Sequence, residues 1–333
     1  MKEFQLYSMG HALVDIFIDV TEEEFASLNY ERGSMRLVEP DEQKQLLQQF
    51  QKHDPRLVSG GSVANSTFAF AQLGGSAALL GCLGDDRYGL FYKSEFEQQG
   101  VDVGNPIVLN QTTGTCACLI TPDAERTMRT CLGVSNHIDE RHVDEARLAH
   151  SEWLFLEGYV FLNGETGAAA IRKAVQLAKK HRTRIAVTCS EAFVVNNCGG
   201  LFREVLADTD LLFANASEAM AVTGKSDVVS AVEAMRDVVP NSVVSDGPEG
   251  AYVRYGAVEA HVPAFACTPV DLTGAGDMLA GAFLYGITHG AAPEQTTRAA
   301  CYLASKVITQ IGARLHHGVR DAWLEGLATE TAH

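Results

Sequence analysis

Residues 271–286 read DLTGAGDMLAGAFLYG, and this stretch is the best equipped for chemistry. Gly274 and Gly276 remove side chains where a helix begins, so their N–H groups, with that of Ala275, can point at a phosphate oxygen. Asp277 falls in the first turn, where the helix dipole favours a carboxylate and is expected to keep it ionised. An anion hole and a general base therefore adjoin, as needed to deprotonate a hydroxyl attacking a bound phosphate. A glycine-rich turn before an ordinary acidic helix start would read the same way, so the segment alone leaves both open.

Two further segments have the same double character. GGSVANS at 60–66 opens a helix on Gly60 and Gly61, followed by Ser62. Asn65 lies in its first turn, where an amide can both donate to and accept from a hydroxyl or simply face solvent. NASE at 215–218 follows the apolar run DLLFA. Asn215 fits an N-cap and Glu218 fits the third helical position, which is a capping box. The same Glu218 can reach a metal-bound phosphate through water, because Mg²⁺ keeps several waters and uses few protein carboxylates. These two roles are compatible. TGKS at 223–226 imitates the end of a phosphate-binding Walker A loop, but Ala219 stands where the required glycine would be and the stretch reads as helix. His316 and His317 are adjacent, so they point in different directions and suit the surface better than a metal.

The elements that must position these groups follow from periodicity. Residues 4–9 read as a strand. LVDIFIDV at 13–20 alternates, with Val14, Ile16, Ile18 and Val20 on one face and Asp15 on the other. This half-buried strand suggests a small sheet, to which 31–39 could return and pair. A hairpin at 112–133, turning around Pro122–Glu125, adds to it. Helices are expected at 41–51, 60–75 and from 89, and AALLGCLG at 77–84 as one buried strand. From 150 onward strands and helices alternate, with helices at 164–181, 200–207, 216–223, 228–237, 274–290, 294–311 and 318–327. That rhythm argues a mostly parallel sheet with helices on both faces. The expected plan is one α/β domain over 1–333, with a small β lid from about 12–38 and 106–134.

Composition narrows the function classes. With 333 residues, 46% of them hydrophobic, the chain can bury a large α/β core. A net charge of −16 argues against nucleic acid or an anionic membrane as partner. It does not exclude phosphate, which backbone N–H groups can hold locally. The eight cysteines include no C-x-x-C, so a zinc ribbon or thioredoxin-type centre is not expected. Cys116 and Cys118 share one face of a strand and read as buried thiols. The first apolar stretch, broken by Asp15 and Asp19, is not a signal peptide. The run 278–287 is about half a membrane span. The expectation is a cytoplasmic protein.

Taken together, GGSVANSTFAFAQLGGSAALLGCLGDDRYG at 60–89, NASE at 215–218 and DLTGAGDMLAGAF at 271–283 resemble the motifs of the ribokinase/PfkB carbohydrate and nucleoside kinase family, in order along nearly the whole chain. The resemblance implies a ribokinase-like three-layer α/β/α domain with a β-sheet lid, and ATP and Mg²⁺ as cofactors. It implies that Asp277 deprotonates the substrate hydroxyl and that Gly274, Ala275 and Gly276 form the anion hole. His11, Asp15, Gly61, Ser62 and Asn65 would stand on the substrate side. Asn215 and Glu218 would organise Mg²⁺ through water. Ser245, Gly247 and Gly250 of SDGPEG, with Thr273 and Gly312, would belong to the nucleotide site, and 299–313 would lie near the adenine. GHALVD, RGSMRLVE, ERTM, LEGYV and LLFAN resemble the bacterial adenosine-kinase-like branch, as does Ser62 where ribokinases commonly carry Lys. His11, where that branch usually has Asn, and Glu191 depart from it on the substrate side. The implied partner is a small nucleoside, adenosine first, or a sugar, for a monomer or homodimer. Phe17, Phe25 and Tyr30 suit either stacking on a base or packing within the lid. Two rivals are a non-catalytic nucleoside or sugar sensor, which has no need of Asp277, and a nicotinamide oxidoreductase, for which no strand is followed by G-x-G-x-x-G.

Overall fold

The computed structural model describes residues 2–104, 106–123 and 125–329. Ala124, in the expected hairpin turn, and the two ends of the 1–333 span lie outside them. A nine-stranded sheet forms the centre. Its strand order is Val258–Val262, Ala251–Tyr255, Ser242–Ser245, Leu211–Asn215, Arg184–Thr188, Ser151–Glu157, Phe4–Met9, Ala77–Leu80 and Val101–Val103. From Ser242–Ser245 to Val101–Val103 all neighbours are parallel; the hairpin 251–262 adds an antiparallel edge.

Alternation along each strand builds the three layers. Leu6, Trp153, Phe155, Leu211, Phe213 and Val243 face one core. Tyr7, Leu154, Leu156, Ile185, Leu212 and Val244 face the other. Both faces are apolar, so these strands read as continuous hydrophobic runs. The first core is covered by the helices Ser62–Leu73, Ala275–Thr288, Pro293–Val307 and Val319–Ala328. The second lies under Gly164–His181, Gly199–Leu206, Ala216–Thr223 and Val228–Ala234. Each fully buried Phe here, such as Phe70, Phe155 or Phe283, contributes roughly 1.5–3 kcal/mol.

One helix pair positions the site. Ser62–Leu73 packs directly against Ala275–Thr288. A β-carbon on Gly281 would lie 2.2 Å from the Ser66 carbonyl oxygen, so glycine is what lets the two backbones touch. That contact lies one turn beyond Ser62 and one turn beyond Asp277, and it brings the two helix starts together.

The second sheet has five strands in the order Met35–Leu37, Arg126–Cys131, Gly114–Ile120, Leu13–Asp19 and Arg56–Gly60. The expected hairpin forms, with Gly114–Ile120 antiparallel to Arg126–Cys131. Val14, Ile16 and Ile18 are buried, as their alternation requires. Several pairings differ from the sequence reading. Met35–Leu37 joins the sheet, but beside Arg126–Cys131 and not beside 13–19. The neighbours of Leu13–Asp19 are Gly114–Ile120, parallel, and Arg56–Gly60, a lid strand with no counterpart in the sequence reading. AALLGCLG divides at Gly81, where a β-carbon would come within 3.0 Å of Ala12 and of the Gly10 carbonyl. Ala77–Leu80 stays in the main sheet and Leu83–Gly84 pairs with Ile107–Val108. Phe25 packs into the lid core under Arg32, and Tyr30 lies beneath the Arg129 guanidinium. Phe17 packs with Cys118 and Ile120 on the face opposite the Val14 stripe.

Candidate active site

The loop before the helix Ala275–Thr288 turns on Gly274, at φ +81°. A β-carbon there would stand 2.4 Å from the Ala313 carbonyl oxygen, so both conformation and space require glycine. Asp277 is the third residue of this helix. One of its oxygens accepts from the Ser62 hydroxyl at 2.7 Å and the other from the Asn65 amide at 3.0 Å. Ser62 and Asn65 belong to the first turn of the facing helix, so the two glycine-opened helices present their first turns to each other. Burial pushes the Asp277 carboxyl up to about 6, against the two hydrogen bonds and the Arg314 charge. Removal from water thus raises the group against the helix dipole, and a value near 6 still leaves it mostly ionised at pH 7.

Beside the base lies a buried polar wall. Arg314, 4% exposed, donates from Nε to the Asn65 carbonyl oxygen at 3.0 Å and from Nη1 to the Ser59 hydroxyl at 2.9 Å. Asp15 projects from the lid strand on the face opposite the Ser59 side chain, and a β-carbon on Gly60 would come within 3.0 Å of its carboxylate. Burial pushes Asp15 up to about 6, opposed by the charges of Arg314 and Arg126.

Glu157 ends the strand Ser151–Glu157 and is 1% exposed. It accepts from the backbone N–H groups of Val63 at 3.0 Å and His11 at 3.3 Å. The helix Ser62–Leu73 has Gly61 at its N-cap and no capping side chain of its own, so Glu157 supplies a cap from another element. Burial pushes its carboxyl up to about 8, with Asp277 adding to the rise. His11 is buried with Nε2 3.1 Å from the Asn163 carbonyl oxygen and Nδ1 3.7 Å from Glu157. Burial lowers it to about 4, so it is neutral at pH 7.

On the other side of the glycine loop a cleft of about 630 Å³ is lined by Ser245, Gly247, Gly250, Ala275 and Gly276, and by Phe265, Leu272, Leu279, Cys301, Ala304 and Ile308. Gly250 has φ +102°, and a β-carbon on it would overlap the Val262 carbonyl oxygen at 2.0 Å. Asn215 is paired in register with Ser245. It forms the full capping box, with Glu218 accepting from its N–H and amide at 2.8 Å each. Burial raises Glu218, and the charges of Glu191 and Asp277 add to the rise.

Besides the Ser59–Arg314 contact, an ion pair joins the lid hairpin to this machinery. Arg126, on the hairpin, donates to Asp271 at 2.6 Å and to the Thr273 hydroxyl at 3.2 Å. Asp271 also accepts from the backbone N–H groups of Thr273 at 2.9 Å and Gly312 at 2.7 Å. One carboxylate thus ties the lid, the glycine loop and the 312–314 turn together.

The structure gathers Gly274, Ala275, Gly276, Asp277, Ser62 and Asn65 at one point, while Asp15 stands on the lid strand beside Gly60. Ser245, Gly247 and Gly250 share the cleft with Ala275 and Gly276. Thr273 and Gly312 bind Asp271 instead of lining that cleft. Gly61 serves as the N-cap of its helix at φ +107°, and both ring nitrogens of His11 face protein groups. Glu157, Arg314 and Arg126 are absent from the sequence reading as site residues. The run QIGAR and the quoted ERTM and LEGYV held the letters, but nothing local pairs them with Asp277.

The comparisons agree with this architecture. A family model described as pfkB family carbohydrate kinase matches residues 33–317. A ribokinase of Haemophilus influenzae is 25% identical over 281 residues, covering 82% of this chain and 88% of that protein. An adenosine kinase of Saccharomyces cerevisiae is 27% identical over 328 residues, covering 92% and 95%. The crystal structure of adenosine kinase from Sinorhizobium meliloti superposes with a TM-score of 0.85 at 29% identity, covering 97% of this chain and 99% of that one. The two-sheet plan is the ribokinase-like fold, and the chain belongs to the pfkB family of carbohydrate kinases.

Proposed function

We propose that this chain transfers the γ-phosphoryl group of ATP to a primary hydroxyl of a nucleoside, adenosine first, with Asp277 as general base. The observation that carries the reading is the position of Asp277. It lies one residue beyond Gly276, which lines the 630 Å³ cleft, and it is held by Ser62 and Asn65 from the opposite side. Nucleotide and acceptor would meet across the glycine loop.

The cleft is of the size of a nucleotide site, and its apolar end, formed by Cys301, Ala304 and Ile308, suits an adenine ring. Gly247 leaves backbone exposed beside it, and buried Gly250 lines it. Asp277 takes the proton as the acceptor oxygen bonds to the γ-phosphorus and the bond to the β-phosphate oxygen breaks, leaving ADP. The N–H groups of Ala275 and Gly276 receive the charge on the transferring group. With its carboxyl near 6, Asp277 is ionised at pH 7 yet basic enough to accept a proton. The charges of Glu191 and Asp277 help to raise Glu218, a surplus that a divalent cation would relieve. Among the described residues no cluster of three or more His, Cys, Asp or Glu could ligate a metal directly, so Mg²⁺ would be held by Asn215 and Glu218 through water. Bound there, it would neutralise phosphate charge. The lid, tied through Arg126, would keep water from the phosphate.

Adenosine is placed first because the adenosine kinases from S. cerevisiae and S. meliloti match this chain along nearly its whole length. A sugar acceptor is the second reading, favoured by the ribokinase relative. The test is ADP release from Mg-ATP against adenosine, inosine, guanosine, cytidine, ribose, fructose and 2-keto-3-deoxygluconate. Turnover with adenosine alone supports the nucleoside reading, and turnover with a free sugar alone replaces it with the second. ATP binding without turnover on any acceptor would favour a sensor and refute both.

A further inference from the structure

The cleft beside the glycine loop lacks side chains able to read the polar edge of a base. Among the described residues lining it there is no charged group, amide, imidazole or phenol, and the only hydroxyls are those of Ser245 and Ser305. Ser245 pairs in register with Asn215, at the end proposed above for Mg²⁺ and the phosphates. Ser305 is 8% exposed, and its one proton is spent on the Tyr302 carbonyl oxygen at 2.7 Å. It can accept a hydrogen bond there but not donate one. The backbone beside it is committed as well. The Ala304 carbonyl accepts from the Ile308 N–H, and the Ile308 carbonyl from those of Val270 and Asp271.

The opposite wall is the irregular run 263–269, between the strand Val258–Val262 and the glycine loop. Phe265 meets Tyr302 edge-on, with ring centres 5.0 Å apart, which seats the run against the helix Pro293–Val307. Ala264, Ala266 and Cys267 are exposed. A flat ring can therefore rest on Cys301, Ala304 and Ile308 while its polar edge stays hydrated on the exposed side. A site that hydrogen-bonds its ligand rejects an analogue lacking the partner atoms by several orders of magnitude. An apolar wall barely rejects a ligand of the same shape. Adenine, hypoxanthine and guanine share one fused-ring shape and differ in the donors and acceptors on that edge.

We propose that the donor site recognises its base by shape alone, so that this chain uses purine nucleoside triphosphates as a class and takes ITP and GTP in place of ATP. The inference rests on the kinase reading above and widens its donor. The step itself is unchanged. The acceptor oxygen bonds to the γ-phosphorus, the bond to the β-phosphate oxygen breaks, Asp277 takes the proton, and IDP or GDP leaves. A pyrimidine lacks the second ring and covers less of the apolar wall, so UTP and CTP bind more weakly.

The test holds the acceptor fixed, as whichever member of the panel above turns over with Mg-ATP, and varies the donor among the magnesium complexes of ATP, ITP, GTP, CTP and UTP. The last four are freed of ATP by chromatography, and the phosphorylated acceptor is measured directly by mass spectrometry. ITP and GTP should keep kcat/KM within about tenfold of ATP, with UTP and CTP below all three purines. A larger loss with ITP and GTP would overturn the inference and give the reading of the base to the peptide groups of 264–268. UTP and CTP equal to ATP would also overturn it, since the base would not then rest on the apolar wall. Ala304→Phe, after a thermal melt establishes that it folds, should raise KM for ATP, ITP and GTP by one common factor and leave KM for the acceptor alone. Unchanged donor KM values in that variant would place the base elsewhere. If it fails to fold, the five donors on wild type decide the matter. A wild type inactive with ATP on every acceptor sinks the kinase reading and this inference with it; one active with ATP alone sinks only the tolerance of the base.

Discussion

The protonation of Asp277 gives the sharpest prediction. Burial lifts its carboxyl from 3.8 to about 6. A base with that value is about 90% ionised at pH 7 and about one-tenth ionised at pH 5, whereas an ordinary Asp would still be more than about nine-tenths ionised at pH 5. Turnover at saturating Mg-ATP and acceptor should therefore fall about tenfold from pH 8 to pH 5. Ser62→Ala removes the 2.7 Å hydrogen bond that favours the charged form. A bond to a charged group is worth about 1.5–3 kcal/mol, so the acid limb should move upward by about 1 to 2 pH units. Comparing the two enzymes on the same Mg-ATP cancels the nucleotide's own titration. An acid limb near pH 4 in wild type, or one that Ser62→Ala leaves in place, would refute the reasoning. The same shift has a stability sign. An acid whose folded value lies above its unfolded one contributes stability fully present below 3.8 and lost as pH rises through about 6, so Asp277 weakens the fold at pH 8.

Asp277→Asn should accordingly melt higher than wild type at pH 8 while losing roughly 10²–10⁴ in turnover, with ATP binding by calorimetry unchanged; near-normal turnover would remove Asp277 as base. Gly250→Ala forces a β-carbon onto the Val262 carbonyl at φ +102°, so it should lower the melting temperature by a few degrees (about 1–3 kcal/mol of strain) and raise KM for ATP. A neutral outcome would show that the SDGPEG turn is not under that constraint. Arg126→Ala leaves the buried Asp271 carboxylate without its cation. Hydrogen exchange at 126–131 and 13–19 should rise while the strand 151–157 stays protected, and equal protection in both proteins would mean the ion pair does not fasten the lid.

Much of this protein is local and therefore legible in its letters. The helix Gly164–His181 and the helix Ala216–Thr223, with its Asn215–Glu218 box, are fixed by periodicity and caps. So is the glycine turn that places Asp277 in a first helical turn, because adjacent residues decide it. What the letters did not decide is which distant groups face that carboxylate. Asn65 lies 212 residues before Asp277, and Arg314 lies 249 residues after Asn65. Glu157 caps a helix 94 residues upstream, and no spacing rule reaches that far. The lid pairings were open for a related reason. Arg56–Gly60 and Met35–Leu37 are short strands with weak alternation, and only the partners available in the folded sheet choose between them. The ionisation of Asp277 belongs to the same class. The helix dipole is a local property that sequence reveals, but desolvation depends on everything packed around the carboxyl, and here desolvation is the larger effect.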